Sequence, residues 1–213
     1  MRKQLILVLL LPGLLWAQPT TLESEARRTE QLYVRQDPGF GEALQSLRDR
    51  FGGQPSPWLS YLDACDSLLH QNPQQASRSV LLALSQKQAS DQLKMSWLRQ
   101  LARRSVNLWP DCLRLCIDQA RILQRSHPQD DAMLVGWLEI QGYEAVERGL
   151  VDLAESLHRS RWDLCARHHW LEEQIRVGRQ LQMDWDTLQA LSLSAPPGRR
   201  REEMLLGLLD LTP

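Results

Sequence analysis

One stretch of the chain places histidine and cysteine at regular helical spacing. His158, Trp162, Cys165 and His169 follow one another at steps of four, three and four residues, with His168 adjacent. Side chains at these steps share one face of a helix, where an imidazole and a thiolate four residues apart can both reach a zinc ion. The competing interpretation puts Trp162 and Cys165 in the core and the histidines at its edge. It is favoured because no second pair of ligands with metal-site spacing occurs elsewhere.

The four cysteines allow two interpretations. Cys65, Cys112, Cys116 and Cys165 are an even set, which in an exported protein invites disulfides. Cys112 and Cys116 are one helical turn apart and point the same way, so one of them would bridge more easily to Cys65 or Cys165. Each cysteine also lies in an apolar stripe, where a free thiol acts as a small hydrophobic side chain.

Motifs for the commoner catalytic chemistries are missing. The chain has no GxSxG nucleophile turn, no glycine-rich phosphate loop, no HExxH zinc motif and no CxxCH haem motif. Acid pairs such as Asp130-Asp131 and Glu172-Glu173 are typical of helix caps and solvated helix faces. The sequence therefore predicts a protein that is not an enzyme, with no catalytic residues and no cofactor.

The composition favours helices throughout. Leucine occurs 41 times, whereas valine, isoleucine and threonine together occur 18 times. Strands favour β-branched and aromatic residues, and helices favour Leu, Ala, Gln, Glu and Arg. We therefore expect an all-α protein.

The N-terminus has the pattern of a secretory signal peptide. Arg2 and Lys3 precede an apolar core from Leu5 to Trp16, and Ala17 supplies the small residue at a cleavage site. This core is shorter than the roughly 20 residues that span a bilayer. We expect residues 1–17 to be removed, leaving an exported chain without a transmembrane segment, periplasmic or secreted and in a bacterial cell envelope.

The exported chain has a slightly acidic balance. After removal of the leader, 23 basic and 26 acidic residues remain. Nucleic-acid binding rests mainly on an excess of positive charge, and this chain has none. A nucleic-acid partner is therefore not expected.

Residues 18–194 read as one domain of paired helices separated by short turns. Ser56-Pro57 and Asn72-Pro73 each combine a capping side chain with a proline suited to the first helical turn. Thr20 and Glu23 have the spacing of a capping box for the first helix. Pairs of about 34 residues that bury their apolar stripes only against neighbours indicate an α-solenoid.

Small residues recur at spacings that resemble tetratricopeptide repeats. Ala64, Ala76 and Ala83 fall at intervals of twelve and seven, and Gly142 and Ala154 are again twelve apart. The resemblance covers about residues 24–166. Other positions match or depart from the pattern: Ala43 and Pro55 match, whereas Arg50, Gln88 and Arg161 replace the expected small residue or proline.

The resemblance implies a right-handed solenoid of antiparallel helix pairs that binds a peptide or partner helix in a groove, without catalysis. By spacing, the side chains in that groove would be those of the first helix of each pair. The alternative is that the aromatic members simply pack in the core. The implied groove residues are Trp58, Tyr61, Met95, Arg99, Glu139 and Tyr143.

Residues 195–213 form a linker and a final helical segment. An apolar face of methionine and leucines follows three arginines, Arg199, Arg200 and Arg201. Solenoids need capping helices at their ends, so this segment is expected to cover the open end of the stack. The alternative is a segment that docks on a partner or an anionic membrane surface.

The function predicted from the sequence is an exported protein-interaction or assembly scaffold. Its partner is a protein or peptide whose identity the residues do not give. The alternative is an exported helical metal-binding protein or enzyme centred on His158, Cys165 and His169.

Overall fold

The chain is all-helical in the part that the structure describes. The computed structural model describes residues 21–53, 55–196, 198, 201 and 204, and these ranges contain ten α-helices and no β-strand. The expected all-α class is thus confirmed. The helices are α1 (Leu22–Arg35), α2 (Phe40–Phe51), α3 (Pro57–Leu69), α4 (Pro73–Ser85), α5 (Asp91–Ser105), α6 (Pro110–Ser126), α7 (Asp131–Glu147), α8 (Val151–Arg167), α9 (Leu171–Gln180) and α10 (Trp185–Ser194).

Two helix starts follow the predicted capping device. The Ser56 hydroxyl accepts the N–H of Leu59 at 3.4 Å, and Pro57 is the first residue of α3. The Asn72 side chain likewise accepts the N–H of Gln75 at 3.1 Å before α4. Each cap satisfies an N–H that the helix itself leaves without a partner. Both predicted helix starts are confirmed.

The N-cap of the first helix lies one residue after the predicted N-cap. Thr21 is the N-cap of α1, and its hydroxyl accepts the N–H of Ser24 at 3.3 Å. The predicted cap, Thr20, lies outside the described residues. Two adjacent threonines offer the same chemistry, so the sequence alone does not choose between them.

Consecutive helices pack against one another, including α6 with α7 and α8 with α9. We call α1–α2, α3–α4, α5–α6, α7–α8 and α9–α10 pairs, in which the odd-numbered helix is the first. Each odd-numbered helix contacts the helix that follows it, and α1 also contacts α3, α3 contacts α5, and α5 contacts α7. The first helices of the pairs begin at residues 22, 57, 91, 131 and 171, so successive pairs start 35, 34, 40 and 40 residues apart. The expected interval of about 34 residues is found among the first three pairs, and the later intervals are longer.

Histidine–aspartate contacts close the third and fourth pairs at one end. His127, just after α6, lies 2.8 Å from Asp91 at the start of α5. His168, just after α8, lies 2.6 Å from Asp131 at the start of α7. In both pairs the end of the second helix is therefore held beside the beginning of the first.

Aromatic side chains fill the core between the early pairs. The rings of Tyr61 and Trp97 stack with centroids 4.8 Å apart, and Trp58 meets Trp97 edge-on at 5.1 Å. Tyr33 and Phe40 form a second contact at 5.5 Å. Such pairs add roughly 0.5–1.5 kcal/mol each beyond the area they bury. Trp58 and Trp97 thus fill the space between helices of the early pairs.

The four cysteines are free thiols, and all are buried. Burial raises the pKa of Cys165 to about 11 and that of Cys65 well above its ordinary value. A thiol with a raised pKa stays protonated and is a poor nucleophile and metal ligand. A hydrogen bond with Cys116 instead lowers the pKa of Cys112 to about 7, so the argument from a raised pKa does not extend to that thiol. Of the two interpretations left open by the sequence, the structure shows four buried free cysteines, which pack as small apolar side chains.

The two chain ends are described only in small part. Residues 1–17, expected to be the leader, and most of the C-terminal segment lie outside the described residues. Met204 is nevertheless buried in a small apolar cluster with Ile175, Leu188 and Ala195. Among the described helices, none has the length and apolar character needed to cross a membrane.

Two glycines give a test of how tightly the helix pairs pack. A Cβ on Gly41 in α2 would meet nothing within 4 Å, whereas one on Gly142 in α7 would lie 2.7 Å from Cε1 of His158 on α8. Gly41→Ala should raise the free energy of unfolding by about 0.4–1 kcal/mol. Gly142→Ala should lower it by about 1–2 kcal/mol, because crowding a packed interface outweighs the gain in helix propensity. Urea denaturation measures both, and a gain in both variants would show that the α7–α8 contact is loose.

Candidate functional site

A fully buried arginine on α8 is the centre of a network of charges. Arg161 has no exposed surface, and its Nη2 donates to Oε1 of Glu173 at 2.6 Å and lies 3.1 Å from Oε2 of Glu139. Its Nη1 donates to the side-chain oxygen of Gln180 at 2.7 Å. Arg161 therefore joins α8 to Glu139 on α7 and to two residues of α9.

A second arginine contacts the same two carboxylates from α5. Arg99 donates through Nη2 to Oε1 of Glu173 at 2.5 Å and through Nε to Oε2 of Glu139. The Tyr143 hydroxyl donates to the other oxygen of Glu139 at 2.7 Å. Glu139 is thus shared between two arginines, and Glu173 is shared between the same two and Arg176. We call Arg99, Glu139, Tyr143, Arg161, Glu173 and Gln180 the buried network.

Helical spacing places these side chains on common faces. Glu139 and Tyr143 are four residues apart on α7, and Glu173 and Gln180 are seven apart on α9. Residues at these steps lie on one side of a helix. Because α5, α7, α8 and α9 each present one such face to the others, the network forms where four helices meet.

Both glutamates of the network are held ionised. Burial alone would raise the pKa of Glu173, but Arg99 and Arg176 outweigh it and lower that pKa to about 2. Burial likewise opposes Arg99 and Arg161 at Glu139, where the arginines prevail and the pKa is lowered. For Tyr143, burial and the neighbouring Glu139 raise the pKa, so its hydroxyl stays a hydrogen-bond donor.

A cavity of about 320 Å³ opens beside the network. Arg99 and Glu139 belong both to the network and to the cavity wall. Every residue of the wall comes from the first helix of a pair, namely α1, α5, α7 or α9. The wall consists of Glu30, Gln31, Val34 and Arg35 from α1, Ser96, Arg99, Gln100 and Arg103 from α5, Glu139 from α7 and Arg176 from α9.

The structure brings three of the predicted groove residues together. Arg99, Glu139 and Tyr143 are connected by hydrogen bonds in the buried network. Arg99 and Glu139 also line the cavity.

The other three predicted groove residues lie in the core. Trp58, Tyr61 and Met95 are 5%, 1% and 3% exposed, and none of them lines the cavity. Met95 packs against Gly136 of α7, and the Tyr61 hydroxyl donates to Glu30 at 2.9 Å. Tyr61 thus contacts Glu30 of the cavity wall from the core side.

The candidate metal ligands are not brought together. His158 packs against Gly142, Cys165 is fully buried beside Val135 and Leu164, and His169 is exposed beyond the end of α8. In the ranges that the structure describes, no three His, Cys, Asp or Glu residues are grouped to hold a metal ion. Burial and the neighbouring Arg161 lower the pKa of His158, which favours its neutral form.

The sequence pattern does not identify Arg161 as a site residue. It marks Arg161 only as a departure from the expected small residue, and Glu173 only as an acid typical of a helix cap or a solvated helix face. A charged residue at a position that repeat spacing assigns to a buried small residue was the available signal. Such a residue needs opposite charges nearby, because an unpaired buried charge is strongly destabilising.

Comparisons with protein-family models, with curated proteins and with solved structures gave no match to this chain. A proposal about its function therefore depends on the geometry and charge of its own residues.

Removing the buried arginine tests how far the fold depends on the network. Arg161→Ala leaves two buried carboxylates with fewer counter-charges and should lower the free energy of unfolding by about 3–5 kcal/mol. Arg159→Ala is the matched control, since Arg159 lies on the same helix and pairs with Glu155 at the surface. Its loss should stay within about 1 kcal/mol. Equal losses in urea denaturation would contradict a central role for Arg161.

The lowered pKa of Glu173 predicts a pH dependence of stability. A carboxylate whose pKa falls from 4.5 to about 2 on folding contributes stability that is complete above pH 4.5 and is lost toward pH 2. The free energy of unfolding should therefore decrease over this range, and it should decrease less steeply in Glu173→Gln. Urea midpoints measured at several pH values check this, and identical slopes would contradict it.

Proposed function

We propose that this protein is an exported, non-catalytic scaffold that holds a peptide or partner protein against the first helices of its pairs. In this proposal the pairs stack antiparallel as a right-handed solenoid, as tetratricopeptide repeats do. The cavity beside the buried network is the binding site. The leader expected at residues 1–17 directs the chain to the bacterial cell envelope.

The origin of the cavity wall is the observation that carries the proposal. All ten residues of the wall come from first helices, and none comes from a second helix. In a stack of helix pairs, the same helix of each pair lines the concave side, and extended concave surfaces are where such proteins bind partners. A cavity lined by four of the five first helices fits this mode of binding.

The chemistry of the wall supports binding rather than catalysis. The wall contains no histidine or cysteine among the described residues, and the hydroxyl of its serine, Ser96, donates to the Leu93 carbonyl at 2.7 Å. Arg99 and Glu139 are fixed by ion pairs and cannot rearrange without breaking the network. A wall that is ordered before a partner arrives loses little entropy on binding.

The placement of Met204 supports a capping role for the C-terminal segment. Its side chain is buried against α9 and α10, the last helix pair. An apolar side chain at that place covers the end of the stack, as a cap does. The alternative function, a metal-binding protein or enzyme centred on His158, Cys165 and His169, receives no support from the separate positions of those residues.

Site-specific cross-linking tests the proposal. A photoreactive amino acid in place of Gln100 puts the probe in the cavity wall, and the same replacement of Gln119, also half-buried but on α6, is the matched control. In cells that make the full chain, the Gln100 probe should yield a discrete cross-linked species with a partner protein. The Gln119 probe should not, because it lies on a second helix.

The cross-linking has two outcomes that would overturn the proposal. Equal cross-linking from both positions would mean that contacts are unspecific. Failure at Gln100, together with failure of the same probe at Gln31 on the opposite wall, would mean that the cavity holds no partner.

A further inference from the structure

The charges on the cavity wall do not balance. Arg35, Arg99, Arg103 and Arg176 face the cavity together with only two acids, Glu30 and Glu139, an excess of two positive charges. The protein as a whole carries a formal charge of −1. The cavity is therefore a positive site on a protein without a positive surplus, which attracts anionic groups.

Two of the four arginines are free to bind something else. Arg99 is paired with Glu139 and Glu173, and Arg176 donates to Glu173 at 2.6 Å. Arg35 and Arg103 are exposed and have no salt bridge to any described carboxylate. A guanidinium offers five donors in a planar fork, and no acid in the described part of the chain forms a salt bridge with either of these two forks.

The acids of the wall are already in use. Glu139 accepts from Arg99 and Tyr143 and lies beside Arg161. Glu30 accepts the Tyr61 hydroxyl at 2.9 Å. Neither acid forms a salt bridge with Arg35 or Arg103, so the wall keeps an excess of positive charge.

Arg99 and Arg103 are four residues apart on α5, so they present their side chains on one helix face. Arg35 ends α1 on the other side of the cavity. The arrangement places one guanidinium on the α1 wall and one on the α5 wall of the cavity. The ion-paired Arg99, Glu139 and Arg176 line the same cavity.

We propose that this cavity binds the carboxylate groups of an acidic peptide segment, with Arg103 and Arg35 making the first contacts. This inference rests on the proposed function and names the chemistry of its partner. Two carboxylates would neutralise the excess of two positive charges. A guanidinium fork matches the two oxygens of a carboxylate and binds them with charge-assisted hydrogen bonds.

Carboxylate fits the wall better than a multiply charged phosphate. Glu30 and Glu139 would repel a concentrated negative charge more than a single one. The volume of about 320 Å³ lies at the lower end of ligand sites and suits one or two side chains. Gln31 and Gln100 add amide groups that can hydrogen-bond to the backbone of a peptide.

Isothermal titration calorimetry on the full exported chain tests this inference with defined probes. The first probe is a peptide Gly-Glu-Asp-Glu-Asp-Gly with both termini blocked. The second is its neutral counterpart Gly-Gln-Asn-Gln-Asn-Gly, also blocked, and the third is that neutral peptide with a free C-terminal carboxylate. Inorganic phosphate is the fourth probe.

The acidic peptide should bind, and its affinity should fall as salt is raised. Arg103→Gln and Arg35→Gln should each weaken it by about tenfold, which is the loss of one hydrogen-bonded charge contact. Arg125→Gln, an exposed arginine at the end of α6, is the matched control and should bind as the unchanged protein does. Thermal melts of the variants verify that all remain folded.

The remaining probes separate the sources of the anion. Binding of the third probe would show that a chain terminus can also supply the carboxylate. This result supports the inference if the Arg103→Gln substitution abolishes binding of that probe. Equal binding of the blocked neutral peptide, stronger binding of phosphate, or an unchanged affinity in both arginine variants would overturn it.

Cross-linking distinguishes this failure from failure of the proposed function. If the Gln100 probe captures a partner while the acidic peptide does not bind, the scaffold function stands and the partner chemistry is wrong. If the acidic peptide does not bind and the probes at Gln100 and Gln31 both fail to capture a partner, both are wrong.

Discussion

Arg161 lies on α8 with no exposed surface, and removing a guanidinium from water costs several kcal/mol unless opposite charges compensate it. Glu139 and Glu173 provide that compensation from α7 and α9, and Arg99 from α5 in turn neutralises them. The four helices must therefore meet in one relative arrangement for the charges to be satisfied. A buried ion pair adds little net stability. Because its charged groups must be placed accurately, however, it restricts the four helices to one arrangement.

The same constraint shapes the cavity. Arg99 and Glu139 are held from behind by the network and face the cavity in front, so one set of ion pairs fixes both the junction of helices and part of the wall. The arginines that the network leaves unpaired, Arg35 and Arg103, lie at the cavity and not within the core. The ion pairs inside the protein hold Arg99 and Glu139 of the wall in place. Arg35 and Arg103, which have no such ion pair with the described residues, are available to a ligand.

Local sequence signals were enough for the helices. Ser56 and Asn72 followed by proline marked helix starts that the structure confirms, because a cap depends only on residues within one turn. Spacing also selected Arg99, Glu139 and Tyr143, which do come together. It selected Trp58, Tyr61 and Met95 for the same reason, and these are buried, because a large apolar side chain on the inner side of a helix is removed from water wherever packing permits.

The sequence by itself determined the helical class, the helix starts at Ser56 and Asn72 and the slight acidity of the chain, since these depend on composition and on contacts within a turn. Only the tertiary structure decided that Arg161, Arg99, Glu139 and Glu173 share one network, because they are separated by as many as 74 residues and no local pattern links them. It also decided that His158, Cys165 and His169 go to different surroundings despite their common helix face. The surroundings of a helix face depend on which helices pack against it. Packing over the whole chain decides which helices those are.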